Sequence, residues 1–246
     1  MISVKMKALL TALFLVLVLI ELCPFAAAQP DTPGAESQVQ PSLWDKVKAT
    51  GLTGWILFFV SICGLAFGLE RAFNLRRERI VPYNLARTAD ELWNKHEYDK
   101  LLETPGAHDS ALGRIIRTMV KNRKMPVSDL SAMVGDLSSR EMKMHLQRAY
   151  PLAIVATVSP LLGLMGTVFG MIGAFDAVAH AKTLGDPSIM AGSISYALMT
   201  TAIGLVIAVP SLAAYHFFRI RTNLLALTLE EQVNGMMVKW FLNGEQ

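Results

Sequence analysis

Charged residues divide this chain into four long apolar runs. Counting between successive charges gives Ala8–Ile20 (13 residues), Ala49–Leu69 (21), Ala149–Phe175 (27) and Pro187–Phe218 (32). A helix needs about 20 apolar residues to cross a bilayer, so the last three runs are long enough to span and the first is not. At 1.5 Å per residue, the two longest reach roughly 40 and 48 Å. The hydrocarbon core is about 30 Å thick, so both helices are expected to project beyond it. The pattern predicts an all-α membrane protein with three transmembrane helices.

The short first run has the layout of a secretory signal peptide. Lys5 and Lys7 form a positive start, Ala8 to Leu22 the apolar stretch, and Ala26 to Ala28 the small residues of a cleavage site. Cleavage after Ala28 is expected. Glu21 and Pro24 argue against an uncleaved anchor, and "IELC" lacks the small residues usual before a lipidated cysteine at Cys23. Residues 1–28 are thus a signal peptide and 29–48 a polar arm, in which Gln29 to Pro41 has the composition of a disordered segment. Only Cys63 then remains, so there is no disulfide framework and no Cys/His metal spacing.

The first span, within 49–70, is bulky: Trp55, Ile56, Leu57, Phe58, Phe59, Val60 and Ile62. Such residues suit a helix that faces lipid, Leu57 included. The following segment, 71–148, is expected to be helical. Leu112, Ile115, Ile116, Met119 and Val120 follow the i, i+3, i+4, i+7, i+8 spacing of an amphipathic stripe. Leu130, Met133, Val134, Leu137, Glu141 and Met144 continue that face, with Ser128 as the expected cap of their helix. Helices of this kind prolong the spans as a bundle. Pro160 and Pro210 fall inside the second and third spans, where Ser159 and Ser211 are expected to help satisfy the carbonyls that proline frees.

The net charge of +3 conceals an asymmetry. Of 23 Lys and Arg, 15 lie between Arg71 and Arg148, and Arg219, Arg221 and Lys239 follow the last span. The positive-inside rule puts 71–148 and the C-terminus in the cytoplasm. An outward N-terminus followed by three spans gives the same topology. Acids interspersed through the basic segment, as in "TADELWNKHEYDK", and the absence of an aromatic-basic surface pattern exclude nucleic acid as the partner. Membrane topology accounts for the charge.

Within "SPLLGLMGTVFGMIGAF", Gly163, Gly166, Gly170 and Gly173 are spaced +3, +4, +3 and stack along one helix face. A glycine in a helix costs about 1 kcal/mol relative to alanine, so the stripe has a purpose. Lipid gives no hydrophobic drive for helix association, and small residues supply close packing instead. The third span has a matching face: Ala197, Thr201, Gly204, Ala208 and Ser211. Two arrangements fit: a tight hairpin between the two spans, or a wall against another chain's helix. Enzyme chemistry finds no support. No "GK[ST]" follows the glycines, and the five histidines show neither HExxH nor any paired spacing.

"LAIVATVSPLLGLMGTVFGMIGAF" and "SISYALMTTAIGLVIAVPSLAAY" resemble the two signature spans of the MotA/TolQ/ExbB proton channel family, closest to its ExbB and TolQ branch. The resemblance implies that 149–246 is the channel region of a homopentameric pore in the bacterial inner membrane. No cofactor, metal or enzyme activity goes with it. The implied partners are an ExbD- or TolR-like single-span protein with a transmembrane aspartate, and a TonB- or TolA-like protein that spans the periplasm. Residue by residue, Thr167 from "GLMGT" and Thr201 from "TTAIGL" become the pore threonines, with Thr200 and Tyr196 beside them in the proton pathway. Gly163, Gly166, Gly170, Gly173 and Gly204 become packing positions. One departure stands out. Where ExbB and TolQ usually carry a glutamate, in "AEAL", this chain reads "SYAL" with Tyr196.

Overall fold

A computed structural model describes residues 51–75, 80–82, 84–104, 110–180 and 187–242. The expected signal peptide (1–28) and polar arm (29–48) lie outside the described residues. Among the described residues every regular element is a helix: α1 Gly51–Asn74, α2 Leu85–Asn94, α3 Tyr98–Glu103, α4 Ala111–Lys121, α5 Val127–Gln147, α6 Tyr150–His180 and α7 Pro187–Met237. The last of these passes into a π-helical turn, Val238–Leu242. Three stretches are long and apolar enough to cross a membrane: Leu52–Asn74, Val127–His180 and Met190–Leu242. The described part of the chain is therefore all-α with three candidate spans.

Two compact units make up the described chain, one from 51–68 and 151–214, the other from 69–150 and 215–242. In the first unit α1 packs through a single face. Leu57 is fully buried and forms an apolar cluster with Val155 and Ile207, against which Val60, Leu162 and Ile203 pack. Farther along the same face, a Cβ on Gly64 would sit 3.0 Å from Val155 Cγ1 and 3.6 Å from Ser211 Oγ. The opposite side is open, with Phe59 70% exposed. Leu57 is thus not a lipid-facing residue. Composition cannot separate the faces of a helix that is apolar all round, whereas the small residue at Gly64, one helical repeat from Leu57, marks the side that meets other helices.

Leu57→Ala is consequently expected to lower stability by about 2–5 kcal/mol, the range for truncating a well-packed core leucine. Phe59→Ala should have little effect. Thermal midpoints of the detergent-solubilised variants test this, and equal midpoints for the two would contradict the packing.

The second unit is a bundle built on amphipathic stripes. Leu112, Ile115, Ile116, Met119 and Val120 of α4 are all buried, as the 3.6-residue period demands. On α5 the buried positions are Leu130, Val134, Ser138, Glu141 and Met142, while Met144 is exposed. Arg114 Nε and Nη2 donate to both oxygens of Glu141 at 2.7 and 2.6 Å, a bidentate bond between α4 and α5. The caps differ from expectation. Pro126 precedes the first residue of α5, so Ser128 lies inside the helix, its hydroxyl 3.3 Å from Asp129. The capping serine is Ser110, whose Oγ accepts from Gly113 N at the start of α4.

The C-terminal part of α7 adds Phe218, Thr222, Leu225, Leu229, Val233 and Met236 to this bundle. Its π-turn then presents three consecutive side chains to α2. Lys239 Nζ donates to Asp90 Oδ2 at 2.7 Å and Trp240 Nε1 to Asp90 Oδ1 at 2.9 Å. The Trp240 ring stacks on Trp93 with centroids 4.4 Å apart, and Phe241 meets the same ring at 5.2 Å.

Candidate functional site

The two glycine-bearing helices meet so closely that backbone touches backbone. A Cβ on Gly204 would fall 2.6 Å from Ser159 O, and one on Gly163 would fall 2.9 Å from both Thr200 O and Thr201 Cα. Gly170 faces Ala197, whose Cβ would be 2.6 Å away, and Gly166 faces the Thr200 side chain. Gly163, Gly166, Gly170 and Gly204 therefore form the seam between α6 and α7 within one chain. Gly173 does not join it: it is exposed, with nothing within 4 Å of the Cβ it lacks.

Hydroxyls line the same seam. Thr200 is buried, and its Oγ1 shares one hydrogen between Ala197 O at 2.7 Å and Gly163 O at 3.2 Å. Thr201, half-buried, donates across the seam to Gly163 O at 3.1 Å. Thr167, also half-buried, donates to Leu164 O of its own helix at 2.7 Å. Tyr196 stands apart at 40% exposure. The structure brings Thr200 and Thr201 onto one carbonyl, while Thr167 and Tyr196 take no part in that contact.

The two serines do something other than expected. With no N–H, Pro160 frees Ala156 O and Pro210 frees Val206 O, four residues earlier. Ser159 Oγ donates to Val155 O at 2.7 Å and Ser211 Oγ to Ile207 O at 2.8 Å. Each hydroxyl closes on its own helix four residues back, which is the carbonyl beside the freed one. This i−4 geometry is the habitual resting place of a buried helical serine.

Chemically, the seam offers hydroxyls and carbonyls but no ionisable group. No acidic residue occurs in the charge-free runs Ala49–Leu69, Ala149–Phe175 and Pro187–Phe218. The charge-free runs therefore supply no carboxylate of their own.

Sequence reasoning missed one buried charge, Arg71. It was legible only as part of the basic run "ERAFNLRRER", and a basic run at the end of a span reads as solvent-facing.

Comparison with known proteins places the geometry in context. Residues 107–231 match the family model described as the MotA/TolQ/ExbB proton channel family. The Tol-Pal system protein TolQ of Haemophilus influenzae is 41% identical over 169 residues, covering 62% of this chain and 74% of that one. The biopolymer transport protein exbB1 of Vibrio cholerae is 26% identical over 196 residues, covering 78% and 86% respectively. TolQ of Pseudomonas aeruginosa is 29% identical over 192 residues, covering 72% and 77%. The match takes in α4, α5, α6 and most of α7, including every seam glycine and threonine described above. The chain is a multi-pass membrane protein that belongs to the MotA/TolQ/ExbB proton channel family.

Proposed function

We propose that this chain is the pore-forming subunit of a proton-motive-force-driven energy transducer in the bacterial inner membrane. The observation that carries the reading is a seam of two signature spans bridged by the hydroxyls of Thr200 and Thr201, with Thr167 turned to its own helix and no carboxylate in either charge-free run. Such a wall needs an acid brought by a partner, here a single-span ExbD- or TolR-like protein with a transmembrane aspartate. Five copies of the chain surround a dimer of that partner. Thr167 and Thr201 serve its carboxylate, and Tyr196 stands where relatives carry a glutamate. Motion passes to a TonB- or TolA-like protein across the periplasm, for which an ExbB-like role in outer-membrane transport is the reading taken. The competitor is a TolQ-like cell-envelope or motility stator role, whose TolQ-like side the 41% identity to a TolQ protein supports.

In the proposed topology 71–148 and the C-terminus are cytoplasmic and the mature N-terminus is periplasmic. The bond from Lys239 to Asp90 supports placing those two segments on one side, because two crossings between them return the chain to the side it left, and the side itself rests on the basic residues. An impermeant thiol reagent should not modify a Lys124→Cys variant in intact cells. Modification would reverse the orientation.

The functional test is reconstitution with a candidate partner in vesicles carrying a pH gradient. Proton flux is expected only when both chains are present and the partner keeps its aspartate. A complex that assembles fully and passes no protons would make the chain a scaffold. Co-purification with a TonB-like or a TolA-like protein separates the two transducer roles.

A further inference from the structure

Arg71 lies in the last turn of α1 and is 1% exposed. Its Nη2 reaches two other helices, donating to His145 O in the last turn of α5 and to Thr222 Oγ1 of α7, the latter at 3.0 Å. The chemistry suits both acceptors. Carbonyls in the last turn of a helix lack intrahelical partners, and a cation there also meets the negative end of the helix dipole. Thr222 spends its own hydrogen on Phe218 O at 2.8 Å, which leaves a lone pair for the guanidinium.

The rest of the group is poorly served. Arg71 Nε and Nη1, and His145 Nδ1 beside them, have no hydrogen-bond partner among the described residues. Glu141, the buried acid on α5, is occupied by Arg114. Removing a cation from water without a carboxylate partner is costly, and exchanging such a group for an apolar one of similar size is often neutral or stabilising. Stability therefore does not account for Arg71. Geometry does, because a single nitrogen at the end of this long side chain donates to two helices and so ties α1 to the end of α5 and to α7.

We propose that Arg71 is a positioning residue of the transducer, whose guanidinium locks α1, the end of α5 and α7 in one arrangement so that they move together during the proton-driven cycle. The proposal rests on the pore reading above. Its test uses the full complex with Arg71→Met and Arg71→Lys. For Arg71→Met, the complex should form at wild-type level with a thermal midpoint at or above wild type, while proton flux falls about tenfold, as a small misplacement can cause. Arg71→Lys should also fall short, since its shorter, flexible side chain does not hold a donor where Nη2 sits. A second readout is independent of conduction. In a cysteine-free background, spin labels at Phe73→Cys and Leu224→Cys, both exposed positions, should give a narrow distance distribution that broadens with Arg71→Met. Wild-type flux with an unchanged distribution would overturn the proposal. So would a collapsed midpoint, which makes the residue a stability element only, or full recovery by lysine. If the wild-type complex passes no protons, the pore reading fails and the spin-label distances alone decide.

Discussion

Gly204→Ala is expected to abolish assembly, although it adds a single methyl group. The new carbon would be placed 2.6 Å from Ser159 O, a backbone atom in the middle of α6. A side-chain neighbour can turn aside, but a helix backbone cannot, so α6 and α7 must separate along their length. Overpacking a core costs about 1–3 kcal/mol where neighbours can adjust; here the whole seam shifts, and the hydrogen bond from Thr201 to Gly163 O goes with it. Gly173→Ala, on the facing helix α6, provides the contrast, because nothing beyond its own helix turn lies within 4 Å of the added position. Complex levels after mild detergent extraction measure both variants. Equal losses would mean that the stripe makes its critical contact with another chain and not within this hairpin.

The second large effect is expected from the Thr167→Val, Thr201→Val double variant, in which partner-dependent proton flux should fall roughly tenfold or more. Each hydroxyl has one hydrogen. In this structure Thr167 gives it to Leu164 O and Thr201 to Gly163 O, which leaves lone pairs to accept from a protonated carboxyl. Donating to the ionised form requires the hydroxyl to rotate away from its carbonyl. Valine removes both roles while keeping the shape. A hydrogen bond to a charged group is worth about 1.5–3 kcal/mol, and each 1.4 kcal/mol on the limiting barrier is about tenfold in rate. Thr201→Val also loses a bond across the seam, so flux is normalised to complex level. Undiminished flux would remove both threonines from the pathway. Tyr196→Phe keeps the ring and should lower flux if the hydroxyl relays protons, whereas unchanged flux would make Tyr196 a packing residue.

Much of the fold was legible because helical period and span length are directly physical. The α4 stripe is buried residue for residue, since an amphipathic helix exposed to water has one face to hide. The helix of the third span, α7, is longer than its 32 charge-free residues, reaching 51, because Arg219, Arg221, Glu230 and Glu231 interrupt apolarity without interrupting helicity. Two features resisted. In a span that is apolar on every side, hydrophobicity assigns no inner face, so Leu57 looked no different from Phe59. Arg71 was hidden for the opposite reason: a lone buried cation violates the expectation that charge seeks water, and only the carbonyl of His145 and the hydroxyl of Thr222, 74 and 151 positions away, explain it. The seam threonines were found through a family motif, but which carbonyl each would engage depends on helix rotation and has no local signature.

The clasp between Asp90 and the π-turn has a consequence for how the protein is made. Asp90 and Lys239 are separated by 149 positions, so Trp93 leaves the ribosome well before the ring that stacks on it. At about 5–20 residues per second the wait is on the order of ten seconds, and two membrane insertions occur within it. During synthesis Trp93 has only Tyr98 beside it, and the face that Trp240 and Phe241 cover stays open until they arrive. A chain cut before Lys239 keeps the charge-free runs of all three spans but lacks the clasp.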